Sequence, residues 1–140
     1  MDCALTPAEF TGIYNNLYSL SDSWADLWMA LYITGMPPSR ILILKYDDIH
    51  DGYPFLMNSV GGKWQEIKND IRLRKLIETR AKRYPNDLYV FQSHSNLKKN
   101  TQSPLTLIAF NRALKIASKK ITTKTVSSKS AYIKQRLCYI

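Results

Sequence analysis

Between Ser21 and Gly35 the chain is apolar on nearly every side, and no other stretch constrains the fold as much. Trp24, Leu27, Trp28, Leu31 and Tyr32 recur at helical spacing, with Ala25, Met29, Ala30 and Ile33 filling most other positions. A helix without a polar face has to be covered all round, so this one is expected at the centre of a core. Ser21-Asp22-Ser23 starts it, Gly35 ends it, and Pro37-Pro38 stops it from continuing. Its Trp24, Trp28 and Tyr32 stripe reads as core rather than as a base-stacking platform. The apolar run Leu27 to Met36, interrupted by Thr34 and Gly35, is too short to span a bilayer.

The flanking pattern is helical before and mixed after. Thr6 and Glu9 form a capping box around Pro7 at the first helical position. Phe10, Ile13, Tyr14, Leu17 and Tyr18 then follow a helical period. Ser39 is placed to cap a third helix, Arg40 to Lys45, carrying Ile41, Leu42 and Leu44. Two short runs, Tyr53 to Val60 and Lys63 to Lys68, flank Gly61-Gly62 and predict a β-hairpin. Asp70 caps a helix to about Lys82, with Leu73, Leu76 and Ile77 inward. Leu88 to Phe91 reads as a third strand or a short buried segment. Residues 92–103 form a polar loop, and Ser103-Pro104 starts a helix over 105–120 with Leu107, Phe110, Leu114 and Ala117 on one face. A last helix is expected from Ser128 to about Leu137. The fold class is mainly α with a small antiparallel β-sheet, in a single domain over residues 1–140.

Charge divides the chain. Residues 1–87 carry ten Lys/Arg against eleven Asp/Glu, whereas residues 88–140 carry ten Lys/Arg and no acid. A cationic half without acids favours a polyanion, since each Lys or Arg near a phosphate releases a condensed counterion. The plainer reading is a solvated or membrane-facing surface. Arg112, Lys115 and Lys119 stand at i, i+3 and i+7 and share one helical stripe. With Lys98, Lys99, Lys120, Lys124 and Lys129 they make up the candidate DNA-binding set. Arg72, Arg74, Lys75, Arg80, Lys82 and Arg83 are interspersed with Asp70, Glu78 and Asp87, so ion pairing is expected there.

Other chemistries find no support. Cys3 and Cys138 form no metal spacing and no CxxC pair. His50 and His94 stand apart in sequence, and no Cys/His/acid cluster suggests a metal. Ser127-Ser128 has no positioned base. No cofactor, metal or small-molecule substrate is expected, nor a membrane anchor. The expected location is cytoplasmic.

Several segments resemble the catalytic domain of tyrosine recombinases, the phage integrase family. Leu5-Thr6-Pro7-Ala8-Glu9-Phe10 is similar to the family's L-T-x-E-E-F opening. Leu31-Tyr32-Ile33-Thr34-Gly35-Met36, followed by Ile41 to Ile49 (ILILKYDDI), resembles L-x-x-T-G-L-R-x-S-E-L-L-x-L-K-W-x-D-I. Val90-Phe91-Gln92-Ser93 resembles L-F-x-S, and the Gly61-Gly62 hairpin falls where the family has one. The resemblance implies a tyrosine-recombinase-like fold and a scaffold for double-stranded DNA. It also implies a prokaryotic or phage-encoded, nucleoid-associated protein.

The family cleaves DNA with a Tyr nucleophile assisted by two Arg, a Lys and two His-type residues. Carried over by position, the first Arg slot holds Pro37 and the nearby Glu slot holds Arg40. The hairpin Lys slot falls near Val60, with Lys63 within a register shift. The second box lies in 123–131, where Lys124 takes the His slot and Ser127 the Arg slot. In the neighbouring register Thr125 and Ser128 take them, and neither register supplies an Arg. Tyr139 comes too early to be the nucleophile. Arg40 is close enough to stand in for the missing Arg, or to pair with Asp47 or Asp48.

The resemblance therefore implies an inactive relative lacking the N-terminal core-binding domain and the C-terminal nucleophile segment. The expected function is non-catalytic DNA binding, regulating transcription or recombination of a mobile element. The alternatives are a protein-interaction module docking on a full-length recombinase or on itself, and an active recombinase with shifted residues.

Overall fold

A computed structural model describes residues 5–50, 53–57, 64–66, 70–94 and 102–131. They fall into two compact units, Met1–Pro38 with Thr106–Ile140, and Ser39–Leu105. The expected Gly61-Gly62 turn, Lys98, Lys99, Val60 and the continuation of the last helix beyond Ala131 lie outside the described residues.

The first unit is helical. Helix α1 (Pro7–Leu20) opens on the capping box, with the Thr6 N–H donating to Glu9 Oε1 at 2.9 Å and the Glu9 N–H to Thr6 Oγ1 at 3.1 Å. Ser21 alone joins it to α2 (Asp22–Thr34). The Ser21 N–H closes α1 on the Leu17 carbonyl, and its hydroxyl accepts from the Ser23 N–H. Gly35 ends α2 in the left-handed region at φ 63°, where a side chain is strained. Ala25, Leu27, Trp28, Ala30 and Leu31 are fully buried, as an all-apolar helix requires.

The Trp24, Trp28 and Tyr32 stripe divides. Trp28 is inaccessible, stacks on Phe10 at 5.2 Å and packs against Phe110 at 6.5 Å. Trp24 is half-buried and stacks on Phe110, while Tyr32 lies against Phe10 but stays 49% exposed.

Helix α5 (Leu107–Ser118) starts two residues later than the sequence predicts, with Thr106 as its cap. The residues before it are taken by extended pairing, in which the Leu105 N–H donates to the Phe91 carbonyl. Phe110, Ala113, Leu114 and Ala117 are buried, but Leu107 is 38% exposed. Side chains tilt toward a helix's N-terminus, so one in the first turn reaches past the packed face. Asn16 Nδ2 donates to the Ala117 carbonyl at 2.9 Å and ties α1 to α5. Ser128–Ala131 is a short 3₁₀ helix packed on α2 and α5, with the Ser128 N–H on Asn111 Oδ1.

The second unit holds α3 (Pro38–Leu42), shorter than and upstream of the expected Arg40 to Lys45. Lys45 bridges to Tyr89 instead, with the Tyr46 N–H on the Leu88 carbonyl and the Val90 N–H on that of Leu44. Leu88 to Phe91 is thus a buried pairing segment rather than a strand. Strands β1 (Ile49–His50), β2 (Tyr53–Met57) and β3 (Trp64–Glu66) pair antiparallel in that order, with Phe55 opposite Glu66 and Met57 opposite Trp64. Helix α4 (Ile71–Arg83) is capped by Asp70, which also takes a bidentate bond from Arg72. It buries Leu73 and Ile77, leaves Leu76 half-buried, and buries Arg80.

Candidate nucleic-acid interface

The solvent side of α5 carries the predicted cation stripe. Arg112, Lys115 and Lys119 are exposed, and so are Lys120 and Lys129 beyond the helix. None of these five has an ion-pairing partner among the described residues. The stripe is not purely cationic, because Ile108 (70% exposed) and Ile116 (63%) share this face at i, i+4 and i+8 with Arg112. The two isoleucines were not singled out in the sequence, although their helical spacing marks them.

Lys124 differs from these five. Its Nζ lies 2.7 Å from Glu9 Oε1, and both side chains are largely shielded from solvent. The acid that neutralises it comes from 115 residues upstream, so a charge count along the chain misses it. Glu9 is correspondingly acidified. The Lys124 hydrogen bond chiefly, then those of Thr122 and the Thr6 backbone, lower its pKa from 4.5 to about 2. Gly12 lies beside the turn that carries Lys124. A Cβ there would stand 2.9 Å from Ile121 Cδ1, so the bare glycine admits the turn after α5 close to α1.

The residues that the resemblance sets in the family's catalytic slots are placed in part. Pro37 is exposed just past the Gly35 cap, and the Ser127 N–H donates to Ser130 Oγ at 3.0 Å. Neither side chain is a cation. Arg40 is half-buried and pairs with neither Asp47 nor Asp48, whose expected ion pair is not formed; Asp48 accepts the Lys45 N–H instead.

In the second unit two further expectations change. Arg80, placed by its sequence among surface charges, is 1% exposed, and its Nε donates to the Val90 carbonyl at 2.6 Å. His94, isolated in sequence, has Nε2 2.7 Å from Asp87 Oδ2 and stacks on Tyr84 at 4.2 Å. Among the described residues no cluster of His, Cys, Asp or Glu is fit to hold a metal, and no helix is long and apolar enough to cross a membrane.

Helices, then short antiparallel strands, then helices, with the motif segments in this order along the chain, resemble the fold of a tyrosine-recombinase catalytic domain. The solved structures it resembles include those of lambda integrase and XerA recombinase. The lambda integrase catalytic core matches with a TM-score of 0.73 and 17% identity over 92% of this chain and 78% of that one. The lambda integrase (75–356) dimer bound to a COC' core site matches at 0.72 and 16% identity, over 91% of this chain and 48% of that one. XerA recombinase matches at 0.65 and 16% identity, over 94% and 48%. The chain thus spans about half the length of several of the recombinases it resembles, and the likeness is one of fold. No protein-family model matches the sequence, and no curated protein does.

Proposed function

We propose that this chain is a non-catalytic, integrase-like DNA-binding protein that regulates transcription or recombination of a mobile element. The observation that carries this reading is the exposed set Arg112, Lys115, Lys119, Lys120 and Lys129, without ion-pair partners among the described residues. Phosphate contacts of this kind fix a protein on the duplex but read no sequence. The fold supports the same reading, because lambda integrase structures of this fold are bound to DNA.

The non-catalytic part rests on Pro37 and Ser127. Attack on a phosphodiester builds negative charge on the non-bridging oxygens, and paired guanidiniums stabilise it as preorganised bidentate donors. Proline and serine carry no such donor. Loss of one comparable donor costs about 10²–10³ in rate.

A mobility shift on duplex DNA across a salt series tests binding. The slope of log K against log salt is expected to fall by about 0.9 for each phosphate contact removed by Arg112→Ala, Lys115→Ala and Lys119→Ala. Affinity that ignores salt, or that survives the triple variant unchanged, rules out this interface. A nicked suicide substrate is expected to give no covalent adduct; an adduct would restore the enzyme reading.

Ile108 and Ile116 favour a second reading. Aliphatic side chains gain little against phosphates, yet exposed ones among cations suit a protein surface. The partner would be a full-length recombinase or a second copy. Structures of this fold include a lambda integrase tetramer bound to a Holliday junction. Ile108→Ser with Ile116→Ser is expected to leave DNA binding intact and to abolish pulldown of a full-length integrase.

A further inference from the structure

After α5 the chain turns back along α1 and opens a groove of about 390 Å³ lined by residues 119–124 and Glu9. Lys119, Lys120 and Lys124 line it together with Thr122 and Thr123, and the Lys124 ammonium is held on Glu9. The opposing charge is the single carboxylate of Glu9. Lys119 and Lys120 are exposed and without an ion-pair partner among the described residues. Three lysines and two threonines around one concavity offer the cationic and hydroxyl chemistry that suits a compact oxyanion.

We infer that this groove seats a phosphate group and that Glu9 is a resident anion competing with it for Lys124. The arrangement makes the competition local. Glu9 Oε1 lies 2.7 Å from Lys124 Nζ and 2.9 Å from the Thr6 N–H, so it is fixed by its own helix cap while it neutralises the lysine. Thr122 Oγ1 accepts from the Lys124 N–H at 3.1 Å, which folds the turn around the groove. The strong acidification of Glu9 accords with a site that prefers an anion.

The phosphate belongs either to the DNA backbone or to a free phosphate compound. The first extends the DNA-binding reading above, and the second stands without it. Glu9→Gln is the informative variant, because glutamine also completes a capping box while removing the charge. Lys119→Ala with Lys120→Ala alters two exposed side chains and serves as the second probe.

Inorganic phosphate is titrated into the ¹⁵N-labelled full chain at constant ionic strength, and the amide shifts of residues 119–124 are followed. Saturable shifts are expected, tightening about threefold to tenfold in Glu9→Gln and disappearing in the double-lysine variant. On duplex DNA, Glu9→Gln is expected to steepen the salt slope by about 0.9, the share of one added phosphate. Phosphate shifts with an unchanged DNA slope support the seat and assign it to free phosphate. Phosphate shifts without any DNA binding support the seat and sink the DNA reading. DNA binding through α5 with no phosphate shifts, or shifts indifferent to both variants, overturns the seat and leaves the DNA reading standing.

Discussion

Arg80 donates from Nε to the Val90 carbonyl while its guanidinium lies 5.3 Å from the Tyr84 ring and 5.2 Å from that of Phe91. Cation–π attraction grows when the cation is desolvated, so burial strengthens these contacts. Arg80→Ala would leave a cavity and an unsatisfied carbonyl at once. A loss of about 3 kcal/mol is expected in urea unfolding. Arg80→Lys is expected to recover only part of it, because lysine lacks the planar fork. Glu9 sets the acid response at the same scale. Its folded pKa is depressed, so the native state favours the ionised carboxylate. The stability it contributes is complete above its ordinary value of 4.5 and is lost as pH falls toward about 2. Urea melts over this window are expected to show a steeper acid loss in the parent than in Glu9→Gln. Parallel curves would mean that the Lys124 pair contributes nothing to folding.

At the scale of elements, α1 and α5 meet through small contacts that fix where the following turn goes. Asn16 holds the Ala117 carbonyl, and Gly12 accepts Ile121. Alanine at position 12 gains about 1 kcal/mol of helix propensity and pushes on Ile121 Cδ1, the far end of a flexible side chain. Gly12→Ala is therefore expected to be nearly neutral in thermal unfolding. Gly12→Leu is expected to cost about 1–3 kcal/mol by displacing Ile121, and to weaken the Lys124–Glu9 pair with it. An unperturbed Glu9 titration in a folded Gly12→Leu variant would show that the turn does not depend on this contact. Helix ends were the more legible part of these elements. Thr6, Ser21, Gly35 and Asp70 act as the sequence predicts, because capping is local chemistry. The end of α3 and the start of α5 were not legible. Tyr46, past α3, and Leu105, before α5, spend their backbone N–H groups on Leu88 and Phe91, residues outside the local helix pattern.

For the whole molecule, the absence of acids after Asp87 is legible from composition, and the i, i+3, i+7 stripe of α5 from spacing. That these cations face solvent follows from which side of α5 is apolar. Which of them stay without a carboxylate does not follow, as Lys124 shows. Arg80 teaches the converse, since a cation expected among the ion pairs of a charge-rich helix is enclosed by Val90, Phe91 and Tyr84.

The sequence by itself determined the central helix, its caps and the charge division. Each of these depends on residue type and short spacing alone. The tertiary structure decided the rest: the burial of Arg80, the His94–Asp87 contact, and the pairing of Glu9 with Lys124. Those depend on distances between residues remote in the chain, and such distances exist only once the backbone has folded.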